Sequence, residues 1–78
     1  MQDTDQTAAA ALGEALAAVG NNQSELARIC GCTQGAIWQM LRRDPPRLSI
    51  AYVLKVEAAL GISRHRLRPD IYPLQSAA

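Results

Sequence analysis

The residues that could do chemistry are few. Cys30 and Cys32 stand one residue apart in CGCTQGAIWQM, and the single histidine, His65, lies far down the chain. A structural zinc site needs four ligands, commonly two pairs with two to four residues between members, so this set falls short on count. A redox pair needs two residues between its cysteines, so it fails on spacing. A disulfide across one residue would close a strained ring rather than staple a domain. The remaining role is two small thiols packing as apolar groups. His65 has only Asp70 as a carboxylate near it in sequence, and no glycine-rich phosphate loop is present. A catalytic site needs converging groups, so no enzyme, cofactor, metal site or small-molecule substrate is expected.

The second candidate is the segment 34–43. On a helical wheel at about 100° per residue, Ala36, Ile37, Met40 and Leu41 share one face. Gln34, Gly35, Trp38, Gln39 and Arg42 share the other, which carries no acid. A carboxamide donates and accepts at once and so matches adenine N6 and N7 in the major groove. Gly35 permits close approach to a base or sugar. The base-reading candidates are therefore Gln34, Gly35, Trp38 and Gln39. The Thr33 hydroxyl and the free N–H groups behind it suit a phosphate oxygen. Arg42, Arg43 and Arg47 suit the flanking phosphates, although Arg can also grip guanine. Three placements are open for Trp38. It could touch a thymine methyl or a sugar, pack on Arg42 one turn later, or tuck against the first helix or the Pro45-Pro46 loop.

These residues need a frame. Seventy-eight residues make one small domain. Ala and Leu abound, Phe is absent, and strand-forming runs are missing, so the class is all-α. Residues 1–27 hold Asp3, Asp5, Glu14 and Glu25 with no Lys or Arg, a net −4. Residues 28–78 hold all eight basic residues against Asp44, Glu57 and Asp70, a net +5. Such a chain can present a basic face at a net charge of only +1. No apolar run is long enough to span a bilayer, and the acidic N-terminus does not read as a signal peptide. A cytoplasmic location without membrane contact is the expectation.

The punctuation predicts five helices. A disordered tail over 1–6 precedes a helix over 8–19 capped by Thr7 and ended by Gly20-Asn21. Asn22 caps a helix over 23–30, which Gly31 stops in a left-handed conformation. Thr33 caps the helix 34–43, and 44–47 is a proline loop. Ser49 caps a helix over 50–60 closed by Gly61. Ser63 caps a short turn ending near Leu67, and the rest is irregular. The domain is then 7–68, with a tail over 69–78 that packs on it or on a partner. Helix, short Gly-containing turn, helix is the helix-turn-helix unit, and the two cysteines flank its turn.

At this point the chain resembles a family. QSELARICGCTQGAIWQML is similar to the helix-turn-helix of Cro/CI-type phage repressors. That pattern has Gln first, Ala fifth, Gly ninth and apolar residues at five set places. Here Gln23, Ala27 and Gly31, with Leu26, Cys30, Cys32, Ile37 and Met40, fill them. ALGEALAAVGNNQSELARICGCTQGAIWQML, VEAALG and HRLRPDIYP together look like the YdaS-like branch, over about residues 8–73. Its members are small Cro-like prophage or plasmid regulators, called antitoxins when paired with a toxin gene. Trp38 and the cysteine pair depart from that branch.

The resemblance implies a five-helix, lambda-repressor-like DNA-binding domain with an irregular C-terminal tail. It implies a repressor on double-stranded DNA, a homodimer on two half-sites, with Gln34 and Gln39 reading bases. It also implies that Gln23 contacts a phosphate and braces Gln34. Asn22, capping the same helix, joins Gln23 as a phosphate candidate. For a dimer, Ile50 and Leu54 form a stripe more apolar than a solvated face needs, and Ile71 and Tyr72 are too apolar for a free end. Leu67 and Leu74 share that character. Arg64, His65, Arg66 and Arg68 could be a second phosphate-binding patch, pair with Glu57, or be a solvated turn. The alternative function is a protein-interaction module that binds a toxin and autoregulates.

Overall fold

The computed structural model describes residues 2–73. Among them α1 spans Gln2–Ala18, α2 Gln23–Cys30, α3 Gln34–Arg42, α4 Val53–Leu60 and α5 Arg64–Leu67, with a 3-10 turn, Ile50–Tyr52, leading into α4. This is the expected all-α fold with five helices. The apolar stripes meet in one core. Leu12, Leu26, Ile37, Val53, Val56 and Leu67 are fully buried, and so is Leu48 from the loop after α3. Leu16, Val19, Cys32, Leu41, Leu60 and Tyr72 pack around it. α2 lies mainly against α3 and α4, while α1 is held by α5.

The turn between α2 and α3 is set by backbone geometry. Gly31 has φ 76°, a left-handed conformation that a side chain disfavours. The Cys32 N–H donates to the Ala27 carbonyl at 2.9 Å and the Gly31 N–H to the Arg28 carbonyl at 3.2 Å. This double bond pattern satisfies carbonyls that the end of α2 would leave open. It also turns both cysteines inward. Cys30 is buried and Cys32 half-buried, and both are free thiols. Burial, with Cys32 beside it, pushes the Cys30 thiol up to about 11, so it stays protonated and inert. The Lys55 ammonium reaches across from α4 and donates to the Cys30 carbonyl at 3.3 Å.

Two expected starts are corrected. α1 begins at Gln2, so Thr7 is an exposed residue inside the helix and not its cap. Nothing in 2–7 breaks a helix, and Asp5 in the first turns suits the positive end of the helix dipole. The expected helical start at Ile50 is instead the 3-10 turn, and the Ser49 side chain makes no capping bond. Ser49 follows buried Leu48, and its N–H is drawn to Met40 Sδ at 3.3 Å. The tighter turn, with Tyr52 N–H on the Ser49 carbonyl at 3.0 Å, brings Val53 under the core. The other caps form as expected. Asn22 Oδ1 accepts from Glu25 N–H, Thr33 Oγ1 from Ala36 N–H and Ser63 Oγ from His65 N–H.

The start of the tail packs back on the domain. The Arg68 carbonyl accepts from the N–H groups of Ile71 and Tyr72 at 3.0 and 2.8 Å. His65 Nδ1 donates to the Tyr72 carbonyl at 2.8 Å. The Arg68 guanidinium donates to the Leu48 carbonyl and to both Asp70 carboxylate oxygens, tying tail to loop. Leu74 lies outside the described residues.

Two glycines separate backbone demand from side-chain room. Gly31→Ala should cost about 1–2 kcal/mol in urea unfolding, the penalty of a left-handed residue with a Cβ. Gly13→Ala, with nothing within 4 Å of its new methyl group, should gain about 0.5–1 kcal/mol of helix stability. Equal effects at the two sites would refute the turn geometry.

Candidate nucleic-acid interface

α3 is a two-faced helix. Ile37 and Met40 are buried, with Ala36 and Leu41 half-buried beside them. Gln34, Gly35, Trp38, Gln39 and Arg42 are all exposed, as the wheel predicts. Gln34 is held: its Nε2 donates to Gln23 Oε1 in a long bond of 3.4 Å, which links the two helix starts. A Cβ on Gly35 would meet only Thr33 Oγ1, at 3.8 Å, so this glycine leaves bare backbone on the outer face. The cap oxygens of Thr33 and Asn22 are occupied by their own helices. What they can offer an anion is the Thr33 hydroxyl proton and the Asn22 amide N–H.

Trp38 is 49% exposed, with the Arg42 guanidinium over its ring at 4.7 Å from the centroid. Trp38 thus packs on Arg42 and is not tucked against the first helix or the Pro45-Pro46 loop. Beyond the helix end, Arg43 is exposed and Arg47 half-buried. They border a cleft of about 190 Å³ with Arg68, over a floor of Met40 and Leu48.

Ion pairing sorts the basic side chains. Arg28 pairs with Glu25, Arg64 with Glu57, Arg66 with Glu14 and Arg68 with Asp70. Among the described residues, Arg42, Arg43, Arg47 and Lys55 have no carboxylate at ion-pair distance, and Lys55 is held at the α2 turn. Of the readings given for 64–68, pairing with Glu57 forms at Arg64 alone, while Arg66 and Arg68 pair with Glu14 and Asp70. Positive charge outside the ion pairs gathers at the end of α3 and the loop after it, where Asp44 is the one acid in the stretch and Asp70 in the tail feels the charge of Arg47. Glu14–Arg66 and Arg68–Leu48 were not legible in the sequence. Each joins residues far apart in the chain, and no local pattern marks such a pair.

The dimer candidates divide. Ile50 and Leu54 are 50% and 49% exposed, one turn apart, and Ile71 is exposed too. Tyr72 is half-buried against the core, with its ring 5.8 Å from the Arg64 guanidinium. No helix among the described residues is long and apolar enough to cross a membrane.

The pairs make stability depend on pH. The Arg64 backbone N–H, then its guanidinium, holds Glu57 below the ordinary carboxylate range. Hydrogen bonds from Arg66 and Arg68 do the same for Glu14 and Asp70. A carboxylate lowered in the folded chain stabilises it above its unfolded value, and that help is lost as pH falls through the folded one. In melts from pH 7 to pH 3, Glu57→Gln should therefore lose less Tm on acidification than the parent chain. Parallel curves would mean that Glu57 contributes nothing in solution.

Comparison with known proteins adds one match. Residues 12–76 fit the model of the family described as bacterial toxin YdaS. No curated protein and no solved structure matches the chain. The matched span runs from the middle of α1, through the helix-turn-helix, past the Arg68 tie of the tail, and the chain thus belongs to the YdaS family.

Proposed function

We propose that this chain is a sequence-specific regulator of transcription that binds double-stranded DNA. It is Cro-like, sets α3 in the major groove, and uses no chemical step or cofactor. The observation that carries the reading is the outer face of α3. It is polar, exposed and free of acids, and it ends in the arginines that lack carboxylate partners. Gln34 and Gln39 read base edges there, and Gln23 fixes the first of them. Arg43 and Arg47 hold the flanking backbone. A homodimer joined through Ile50 and Leu54 would meet two half-sites about one helical turn apart. Such a protein works in the cytoplasm, where the DNA is.

A second reading has its own support. The family description speaks of a toxin, and Ile50 and Leu54 are an apolar pair without cover. In that reading the chain binds the other member of a toxin–antitoxin pair and uses α3 to control their shared promoter.

Fluorescence anisotropy on the DNA upstream of its own gene, against scrambled DNA over a salt series, tests the proposal. Gln34→Ala and Gln39→Ala should each cost about 1–3 kcal/mol on the specific duplex and little on scrambled DNA. Arg43→Ala or Arg47→Ala should weaken both and flatten the salt dependence by about one unit of slope. Operator affinity untouched by both glutamine changes would refute the α3 assignment.

A further inference from the structure

Trp38 is the least expected residue on α3. A large aromatic ring left about half exposed is unfavourable unless something covers it. The protein covers one side with Arg42. The other neighbours on that face lie one turn back: Gln34, which is held by Gln23, and Gly35. Gly35 supplies no side chain, and a Cβ there would meet only Thr33 Oγ1, so that position does nothing to cover the ring.

We infer that Trp38 and Arg42 act as one stacked unit that reads a thymine through its C5 methyl group next to a guanine. This rests on the DNA reading above and deepens it. The apolar group that a base pair offers in the major groove is the thymine methyl. An indole face is the matching surface, and its one polar group, a donor, faces no acceptor here. Arg42 makes a contact of a different kind. The ring attracts its charge without using any of its five N–H donors. Those donors match guanine O6 and N7, and the ring holds the guanidinium in place before DNA arrives. Arg42 thus moves from the phosphate contacts to the base contacts, while Arg43 and Arg47 beyond the helix end keep the backbone.

A duplex selected by this protein from a random double-stranded pool gives the probe. Each thymine in the selected consensus is then replaced by deoxyuridine, which removes only the methyl group. At one thymine adjoining a guanine in each site, the change should weaken the parent chain about fourfold, the worth of one buried methyl group. Trp38→Ala should bind the two duplexes equally, with an unchanged circular dichroism melt. Arg42→Lys, which keeps the charge but not the planar fork, should lose preference at the neighbouring guanine and keep its salt slope. A consensus without such a thymine, or replacement without cost at every thymine, overturns the inference. If selectivity still depends on Gln34 in that case, the wider DNA reading stands. If no consensus emerges from the pool, both fall together.

Discussion

The left-handed bend at Gly31 sets the direction in which α3 leaves α2, and the outer face of α3 inherits its position from that bend. Gly31 supplies the backbone freedom, the Ala27 and Arg28 carbonyls supply the bonds, and Cys30 and Cys32 anchor the two sides. The cysteines answer a packing need. A helix end packed this tightly needs small apolar groups on both sides of the glycine, and a protonated thiol serves as one. Lys55 then closes over the turn from α4. These contacts, none of them with a ligand, fix the angle at which the helix presents Gln34, Trp38 and Gln39.

Charge pairing has a parallel effect on electrostatics. Glu14, Glu25, Glu57 and Asp70 each hold one arginine, and these pairs lie on α1, α2, α4–α5 and the tail. The more exposed of these, Arg28–Glu25 and Arg66–Glu14, contribute little stability each. The larger consequence of the pairs is what they leave over. A chain with a net charge of only +1 keeps its free arginines beside α3. The same ties seat the tail. Arg68 bonds to Leu48 and Asp70 and so ties the loop after α3 to the tail.

Local chemistry made much of this legible. The helix periodicity marked α2 and α3, the short polar residues Asn22 and Thr33 marked their caps, and Ser63 marked that of α5. Both faces of α3 followed from a wheel. The errors arose where local signals compete. Thr7 is a good cap residue, but 2–7 lacks a breaker, and the helix runs through it. Ser49 is another, but the burial of Leu48 fixes its backbone first. The placement of Trp38 turned on the single contact with Arg42, which spacing allowed but did not require. Contacts across 20 or 52 residues, such as Arg68 with Leu48 and Arg66 with Glu14, depend on the fold and have no signature in the chain.

In the proposed function DNA meets the outer face of α3. The most direct measurement is a ¹H–¹⁵N NMR titration of the labelled chain with the duplex it selects. Shifts are expected to concentrate at Gln34, Gly35, Gln39, the Trp38 indole N–H and Arg42, extending through the loop to Arg47. Shifts confined to Ile50, Leu54 and the tail, with α3 silent, would contradict it.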